Sequence, residues 1–303
     1  MSDLDKFNVE QQARQRAGDP HRISPYHEMI NRYLRTFSYV DPYVPAPART
    51  PVAAARPAAD PATAGTVIVG VDDMPTSHVS VDQAAIEAEL HGAALLIVHA
   101  GAPPRDPRLL EHLTERVRSF APSVPATTQV TVGMSPAELL LAAAGATDLI
   151  VVGHRHGRAR GALRRSVADH VAAEHTGPVL VVREPGWPPG PELATRPLVV
   201  GANGSAASTR ASEFAVQEAK ARGCDIVRLR VTKEPVEELD RTDRIGGVTV
   251  RSRTVAGNPV NEIVDASSRA AAVVLGRSAG RGRLSSVDRA VLHHAHCPIF
   301  FVG

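Results

Sequence analysis

The chain has 303 residues, of which 43% are hydrophobic and 22% charged, and its formal net charge is +2. That length allows two ordinary domains, and the small net charge excludes bulk charge as an argument for nucleic-acid binding. The two cysteines, Cys224 and Cys297, form no CxxC pair. We therefore expect neither a disulfide framework nor a zinc site, and a reducing, cytoplasmic compartment fits best.

The first residues lack the basic start and apolar run of a secretory signal. No stretch approaches 18 consecutive apolar residues, so the sequence predicts no membrane-spanning helix.

Residues 1–65 are predicted to form a separate N-terminal tail. From 43 to 65 the chain is mostly Pro, Ala, Thr and Arg, a composition that predicts an extended linker. Before it, Ser24 and Pro25 suit the N-cap and first position of a helix. That helix would carry an apolar stripe at helical spacing, formed by Tyr26, Met29, Ile30, Tyr33, Leu34 and Phe37.

The stripe has two interpretations. It could dock onto the protein's own domains or a sister subunit, because an amphipathic helix must bury its apolar face somewhere. It could instead bind a groove on another molecule, a protein or a ribonucleoprotein, as a partner helix.

The rest of the chain repeats itself. The run TVIVGVDD near Thr66 matches PLVVGANG near Pro197, and TDLIVVG matches AAVVLG. Each copy closes with an SV dipeptide that opens a helix, at Ser166 and Ser286, and with a final strand. An internal duplication of about 110 residues follows. It predicts one domain over 66–185, a linker over 186–196 and a second domain over 197–303.

Each copy alternates short apolar runs with amphipathic helices. In the first copy we predict strands near 66–72, 94–99, 127–132, 148–153 and 178–183. Near-continuous Val, Ile and Leu runs are typical of parallel strands that helices cover on both faces. The fold class is therefore α/β, with two tandem, Rossmann-like, doubly wound domains, each a five-stranded parallel sheet flanked by helices.

The order of these motifs, repeated twice, resembles the universal stress protein family from 66 to 183 and from 197 to 303. The first copy carries VIVGVDD, VGMSPAELL and DLIVVGHRHGRARGALRRSVADHV, and the second ends in LHHAHCPIFFV. The resemblance implies dimerisation through the edges of the last strands, as a homodimer or as a pseudo-dimer within one chain. It also implies an adenine nucleotide site, in which glycines and a helix N-terminus approach the phosphates.

Carried over to the first copy, the resemblance implies that Asp72 contacts adenosine, that Gly133 and Gly153 permit close approach, and that Ser166 with the amide of Val167 meets phosphate. The family's phosphate loop, G-2x-G-9x-G-[ST], is degenerate in both copies. Arg165 replaces the glycine before Ser166, and Asn203 replaces the acid in the second copy. ATP or another adenine nucleotide is thus expected in the first copy rather than the second.

The first copy's loop is rich in arginine, and guanidinium groups grip phosphate bidentately. A polyanion or an acidic partner could therefore bind there, although a solvated loop explains the same charges and no aromatic residue for base stacking accompanies them. The residues concerned are Arg155, Arg158, Arg160, Arg164 and Arg165.

No catalytic or metal-binding constellation emerges from the sequence. His293, His294, His296 and Cys297 have the wrong spacing for a zinc finger, and the chain lacks the G-x-x-x-x-G-K-[ST] of P-loop proteins. We therefore predict a non-enzymatic protein that acts in stress response or regulation by binding partners. One alternative is an ATP-binding sensor that works through the first copy, with slow hydrolysis left open. The other is a docking or hibernation-type factor that binds a large assembly such as a ribosome or RNA through the N-terminal helix and the arginine-rich loop.

Overall fold

The structure is a computed structural model that describes residues 24–37, 65–154, 166–183, 191–234, 239–277 and 282–303. Within these ranges an eleven-stranded sheet lies between two layers of helices. In chain order the helices and strands are α1 (Pro25–Thr36), β1 (Val67–Val71), α2 (Thr76–His91), β2 (Leu95–Gly101), α3 (Leu109–Phe120), β3 (Ala126–Val132), α4 (Pro136–Ala143), β4 (Leu149–His154), α5 (Val167–Glu174), β5 (Val179–Arg183), a 3-10 helix (Pro191–Thr195), β6 (Leu198–Gly201), α6 (Ala206–Arg222), β7 (Ile226–Thr232), β8 (Leu239–Ile245), β9 (Val248–Ala256), α7 (Pro259–Ser267), β10 (Ala272–Gly276), α8 (Ser286–His294) and β11 (Ile299–Val302).

Both halves of the chain use the same strand order. The first half runs β3-β2-β1-β4-β5 and the second β9-β7-β6-β10-β11, with parallel neighbours in both. Their central strands are fully buried Val, Ile and Leu runs, as expected for strands covered on both faces. The predicted tandem doubly wound fold is confirmed.

The two halves join through their last strands. β5 and β11 pair antiparallel, with Val181 opposite Ile299 and Val179 opposite Phe301. Two sheets therefore become one, and the last-strand edges of the two halves cover each other.

The second half departs from the prediction at its outer edge, where a sixth strand follows the five parallel ones. β8 pairs antiparallel with β9, and the two-residue turn between them is Gly246-Gly247, with φ of 58° and 90°. A two-residue hairpin turn whose twist matches that of the flanking strands requires positive φ at both of its central residues. Strand β8 occupies the place in the chain where the first half has α3.

Each helical layer covers one face of the sheet. One core contains residues of α1, α2, α3 and α6, and the other contains residues of α4, α5, α7 and α8. Helix α1 lies on the first face, against α2, α3, α6 and the 3-10 helix. It thus packs against helices of both halves.

A serine hydroxyl caps the last helix of each half. Ser166 caps α5, where the prediction placed it. In the second half, however, Ser285 rather than Ser286 is the cap, because α8 starts one residue earlier and its third residue is Asp288, which completes a capping box.

Candidate functional site

A cleft of about 690 Å³ opens in the second half of the chain. It lies at the carboxyl ends of β6, β7 and β10, where the strand order reverses between β6 and β10. Ligands of doubly wound sheets bind at this switch point, and the volume is within the range of small-molecule sites. The residues that line it are Gly201, Ala202, Asn203, Ser205, Ser208, Leu229, Val231, Pro259, Ile263, Leu275, Gly276, Arg277, Arg283, Leu284, Ser285, Val287 and Asp288.

The walls of this cleft are mainly apolar, and its polar groups lie on two helix starts and two arginines. Arg277 is only 5% exposed and donates from Nη2 to the carbonyl of Gly177 at 2.8 Å, whereas its Nε has no hydrogen-bond partner. Burial lowers the pKa of Arg277, because a guanidinium out of water loses its hydration. Its guanidinium packs against Gly303 as well as Gly177, and neither glycine lines the cleft. Arg283 is exposed at the rim.

Hydroxyl and amide groups at the two helix starts are partly committed to local bonds. Asn203 accepts through Oδ1 from the amide of Ser205 at 3.0 Å, and Ser205 caps α6. Ser285 accepts from the amide of Asp288 at 3.1 Å, and the Asp288 carboxylate accepts from the Ser285 hydroxyl at 2.7 Å. These bonds fix two helix N-termini at the cleft, where first-turn amides favour anions.

In the first half, Asp72 supports its own turn. Its Oδ1 accepts hydrogen bonds from the amide of Met74 and from the hydroxyl of Ser77, both at 3.0 Å. Asn203 makes the corresponding bond to the amide two residues ahead. The turn after the first strand is therefore built alike in both halves, so a turn-forming role accounts for either Asp or Asn there.

The predicted glycines have different local environments. Gly133 has a φ of 84°, and a methyl group there would meet nothing within 4 Å. A Cβ on Gly153 would lie 2.8 Å from Oγ of Ser80, and one on Gly276 would lie 2.0 Å from the carbonyl oxygen of Ala207. These two glycines therefore let α2 and α6 approach the strand ends closely, a packing requirement that exists without any ligand.

Ser166 and Val167 lie at the start of α5, as predicted. The Ser166 hydroxyl accepts from the amide of Asp169 at 3.0 Å and donates to its carboxylate at 2.7 Å. It is thus engaged in capping, while the Val167 amide is at the first helical position, whose N–H the helix cannot satisfy internally. A phosphate role for these residues remains a prediction. The predicted polyanion contacts lie outside the described residues: Arg155, Arg158, Arg160, Arg164 and Arg165.

The apolar stripe of α1 is buried against the chain's own helices and the 3-10 helix. Phe37 is partly buried and packs against the same core, and the Tyr33 hydroxyl donates to Asp82 of α2 at 2.7 Å. In this structure the stripe therefore follows the first of its two interpretations and presents no free apolar face. The fully packed members are Tyr26, Met29, Ile30, Tyr33 and Leu34.

A buried charge network between α2 and α6 is a feature that sequence reasoning missed. Arg222, 2% exposed, donates to both carboxylate oxygens of Glu87, at 2.6 and 2.8 Å, and to Glu218 at 3.2 Å. His91 lies 2.8 Å from Glu218, and the guanidinium covers the ring of Tyr26 at 4.8 Å. Glu87 with Glu218, and His91 with Arg222, occupy equivalent positions of the duplication. In each pair the two residues are 131 positions apart, which is the offset between the copies, and this was the signal in the sequence that could have revealed the network.

The network makes stability depend on pH through His91, whose side chain is 35% exposed. Burial alone lowers the pKa of His91, but the hydrogen bond to Glu218 and the charges of Glu218 and Glu87 outweigh it, so the pKa is raised. A raised pKa in the folded state stabilises below the unfolded pKa, and this contribution disappears as pH rises through the folded value.

We therefore expect His91→Gln to lower the free energy of unfolding more at about pH 6 than at about pH 8. Urea denaturation at both pH values measures this difference. His294→Gln, at an exposed position of α8, serves as the control. An unchanged pH slope in His91→Gln would exclude His91 as the titrating group.

One group of possible metal ligands, Glu87, His91 and Glu218, lies within 4.8 Å among the described residues. Both of its carboxylates already bind Arg222, so an ion-pair network accounts for the cluster.

Among the described residues, no helix is long and apolar enough to cross a membrane.

Comparison with known proteins places these features in a family context. The model of the universal stress protein family matches residues 64–183 and 232–303. A universal stress protein of Mycolicibacterium smegmatis is 30% identical over 290 residues, covering 80% of this chain and 98% of the relative. One from Mycobacterium tuberculosis is 28% identical over 298 residues, covering 77% and 93%.

A solved structure of similar fold is a universal stress protein from Archaeoglobus fulgidus. It superposes with a TM-score of 0.57 at 14% identity, over 79% of this chain and 98% of that one.

Proposed function

Because this chain belongs to the universal stress protein family, we propose that it is a non-enzymatic stress-response protein whose second half binds a small phosphate-bearing ligand. The ligand class is an adenine nucleotide. The observation that carries the proposal is the cleft at the strand switch point, at which the N-termini of α6 and α8 lie beside Arg283.

The composition of the cleft fits the two parts of such a ligand. Leu229, Val231, Ile263 and Leu275 offer an apolar wall for a planar base. Arg283 and the N-termini of α6 and α8 offer donors and positive potential to a phosphate.

The same groups favour binding over catalysis. The carboxylate of the cleft, on Asp288, is hydrogen-bonded to the cap of its own helix, so it supports the fold rather than serving as a free base. We therefore propose that the second half binds the ligand without transforming it. Asn203 stands where the resemblance implies an acidic residue.

The test is calorimetric titration of the full chain with ATP, AMP and cAMP, together with analysis of the small molecules that purified protein releases on denaturation. We expect stoichiometric binding that Arg283→Gln weakens by about tenfold, because a charge-assisted contact is lost. Arg289→Gln, on α8 but not among the cleft residues, is the matched control and should bind normally.

A third variant separates the two halves. Asp72→Asn should leave binding unchanged if the ligand sits in the second half. Loss of binding in Asp72→Asn but not in Arg283→Gln would place the nucleotide in the first half instead. No titratable and no released nucleotide would overturn the proposal.

A further inference from the structure

The outer strand of the first half, β3, pairs with β2 and has no second neighbour within the described part of the chain. The amide of Gly133 donates to the carbonyl of Gly101 at 3.1 Å, so the backbone groups of Gly133 point toward β2. Along a parallel strand, residues whose backbone groups point toward the neighbouring strand alternate with residues whose groups point away from it. The residues whose backbone groups point away from β2 are Ala126, Thr128, Val130 and Val132.

Within the described part of the chain, no strand covers this edge and the strand itself carries none of the usual protection against pairing. The strand Ala126–Val132 contains no charged residue and no proline, and Val130 and Val132 are 46% and 64% exposed. An exposed edge strand without charges presents unpaired N–H and C=O groups, which are a template for another strand. The opposite edge of the sheet, β8, is built differently: its seven residues include Asp240, Arg241, Asp243 and Arg244.

The duplication shows how such an edge is covered. Gly257 donates to the carbonyl of Thr232 at 2.9 Å, as Gly133 does in the first half, so β9 is the counterpart of β3. β9 carries an antiparallel strand on its outer side, with Arg241 opposite Ser252. The backbone geometry of this edge therefore accepts an antiparallel partner, which the first half does not supply to β3 among its described residues.

We propose that the free edge of β3 docks the β3 strand of a second copy of this chain, paired antiparallel. The sequence Ala-Thr-Thr-Gln-Val-Thr-Val is self-complementary, because an antiparallel pair centred on Gln129 sets Thr128 opposite Val130 with no charge on either side. The last-strand edges, which the resemblance expected to mediate dimerisation, are paired with each other within one chain. Within the described residues, β3 is then the edge of the first half that no strand covers.

The interface would be small. A single seven-residue strand with a few exposed apolar side chains falls at the low end of interface sizes, so we expect dissociation at micromolar concentration. Sedimentation velocity of the full chain from about 1 to about 500 µM, at fixed salt, should show a concentration-dependent shift from monomer to dimer.

Two lysine variants locate the interface. Val130→Lys places a charge on β3 and should keep the protein monomeric at every concentration, because edge lysines block strand pairing. Thr242→Lys adds the same charge to the outer edge of β8 and should dimerise as the unmodified chain does. Thr128→Pro, which removes an outward N–H without adding charge, should act as Val130→Lys does.

Hydrogen exchange gives a second measurement. The outward amides of Thr128 and Val130 should become protected as the concentration rises. An unmodified chain that stays monomeric throughout overturns the proposal. So does a dimer that persists in both Val130→Lys and Thr128→Pro, since pairing would then use another surface.

Discussion

Replacing Arg222 by methionine should lower the free energy of unfolding by about 3–5 kcal/mol, because it removes the guanidinium from buried Glu87 and leaves His91 as the cationic partner of Glu218. Both carboxylates are at most 5% exposed, and Arg222 bonds to each of them. Urea denaturation near neutral pH measures the loss. Lys220→Met, at an exposed position of the same helix, should change the stability little.

A triple variant tests whether the cause is the stranded charge. Glu87→Gln with Glu218→Gln should restore most of the stability lost in Arg222→Met, because neutral amides cost less to bury than unpaired carboxylates. If the triple variant is as unstable as Arg222→Met, lost packing rather than charge is responsible. The guanidinium lies over Tyr26 and Phe300, so packing is the alternative that this comparison measures.

Replacing Ile30 by alanine in α1 should lower the free energy of unfolding by about 2–5 kcal/mol, since the side chain is fully buried against the shared core. Because α1 packs on both halves, the loss should appear in the global transition rather than in a separate one. Denaturation followed by two probes, near-ultraviolet and far-ultraviolet circular dichroism, checks both points.

Arg35→Ala is the control for this prediction, since Arg35 is exposed on the same helix and should fall within about 0.5 kcal/mol of the unmodified chain. The Ile30→Ala effect also sets a minimum for the free energy with which α1 docks on the rest of the chain. If the helix can undock as a unit, a substitution in it cannot destabilise the docked state by more than that docking free energy. An effect as small as that of Arg35→Ala would mean that α1 is undocked in solution. The stripe would then be free for a partner, which is the second of its interpretations.

Sequence alone determined the family, the duplication and the doubly wound fold. Runs such as VIVGV and LIVVG have the composition of strands buried on both faces, and they became β1 and part of β4. Caps were also local properties: Ser24 with Pro25, and Ser166, begin helices where their side chains can satisfy first-turn amides. Such features depend on a few neighbouring residues, and a sequence displays those directly.

The site residues that the resemblance implies in the first half stay a prediction, and the cleft of the second half was not predicted. The acid at position 72 favoured the first half, yet its carboxylate supports its own turn, as Asn203 does in the second half. Arg277, which lines the cleft of the second half, bonds to Gly177, 100 residues away. Nothing in the local pattern around Arg277 indicates that its side chain would be buried.

Tertiary structure decided the features that involve long-range contacts. The Arg222–Glu87 pair joins residues 135 positions apart, and the Tyr33–Asp82 bond holds α1 on α2. The pairing of β5 with β11 leaves β3 and β8 as the outer strands of the sheet. A sequence shows that a helix has an apolar stripe or that a strand lacks charge. What covers that surface depends on which distant segments meet it, and only the folded chain determines that.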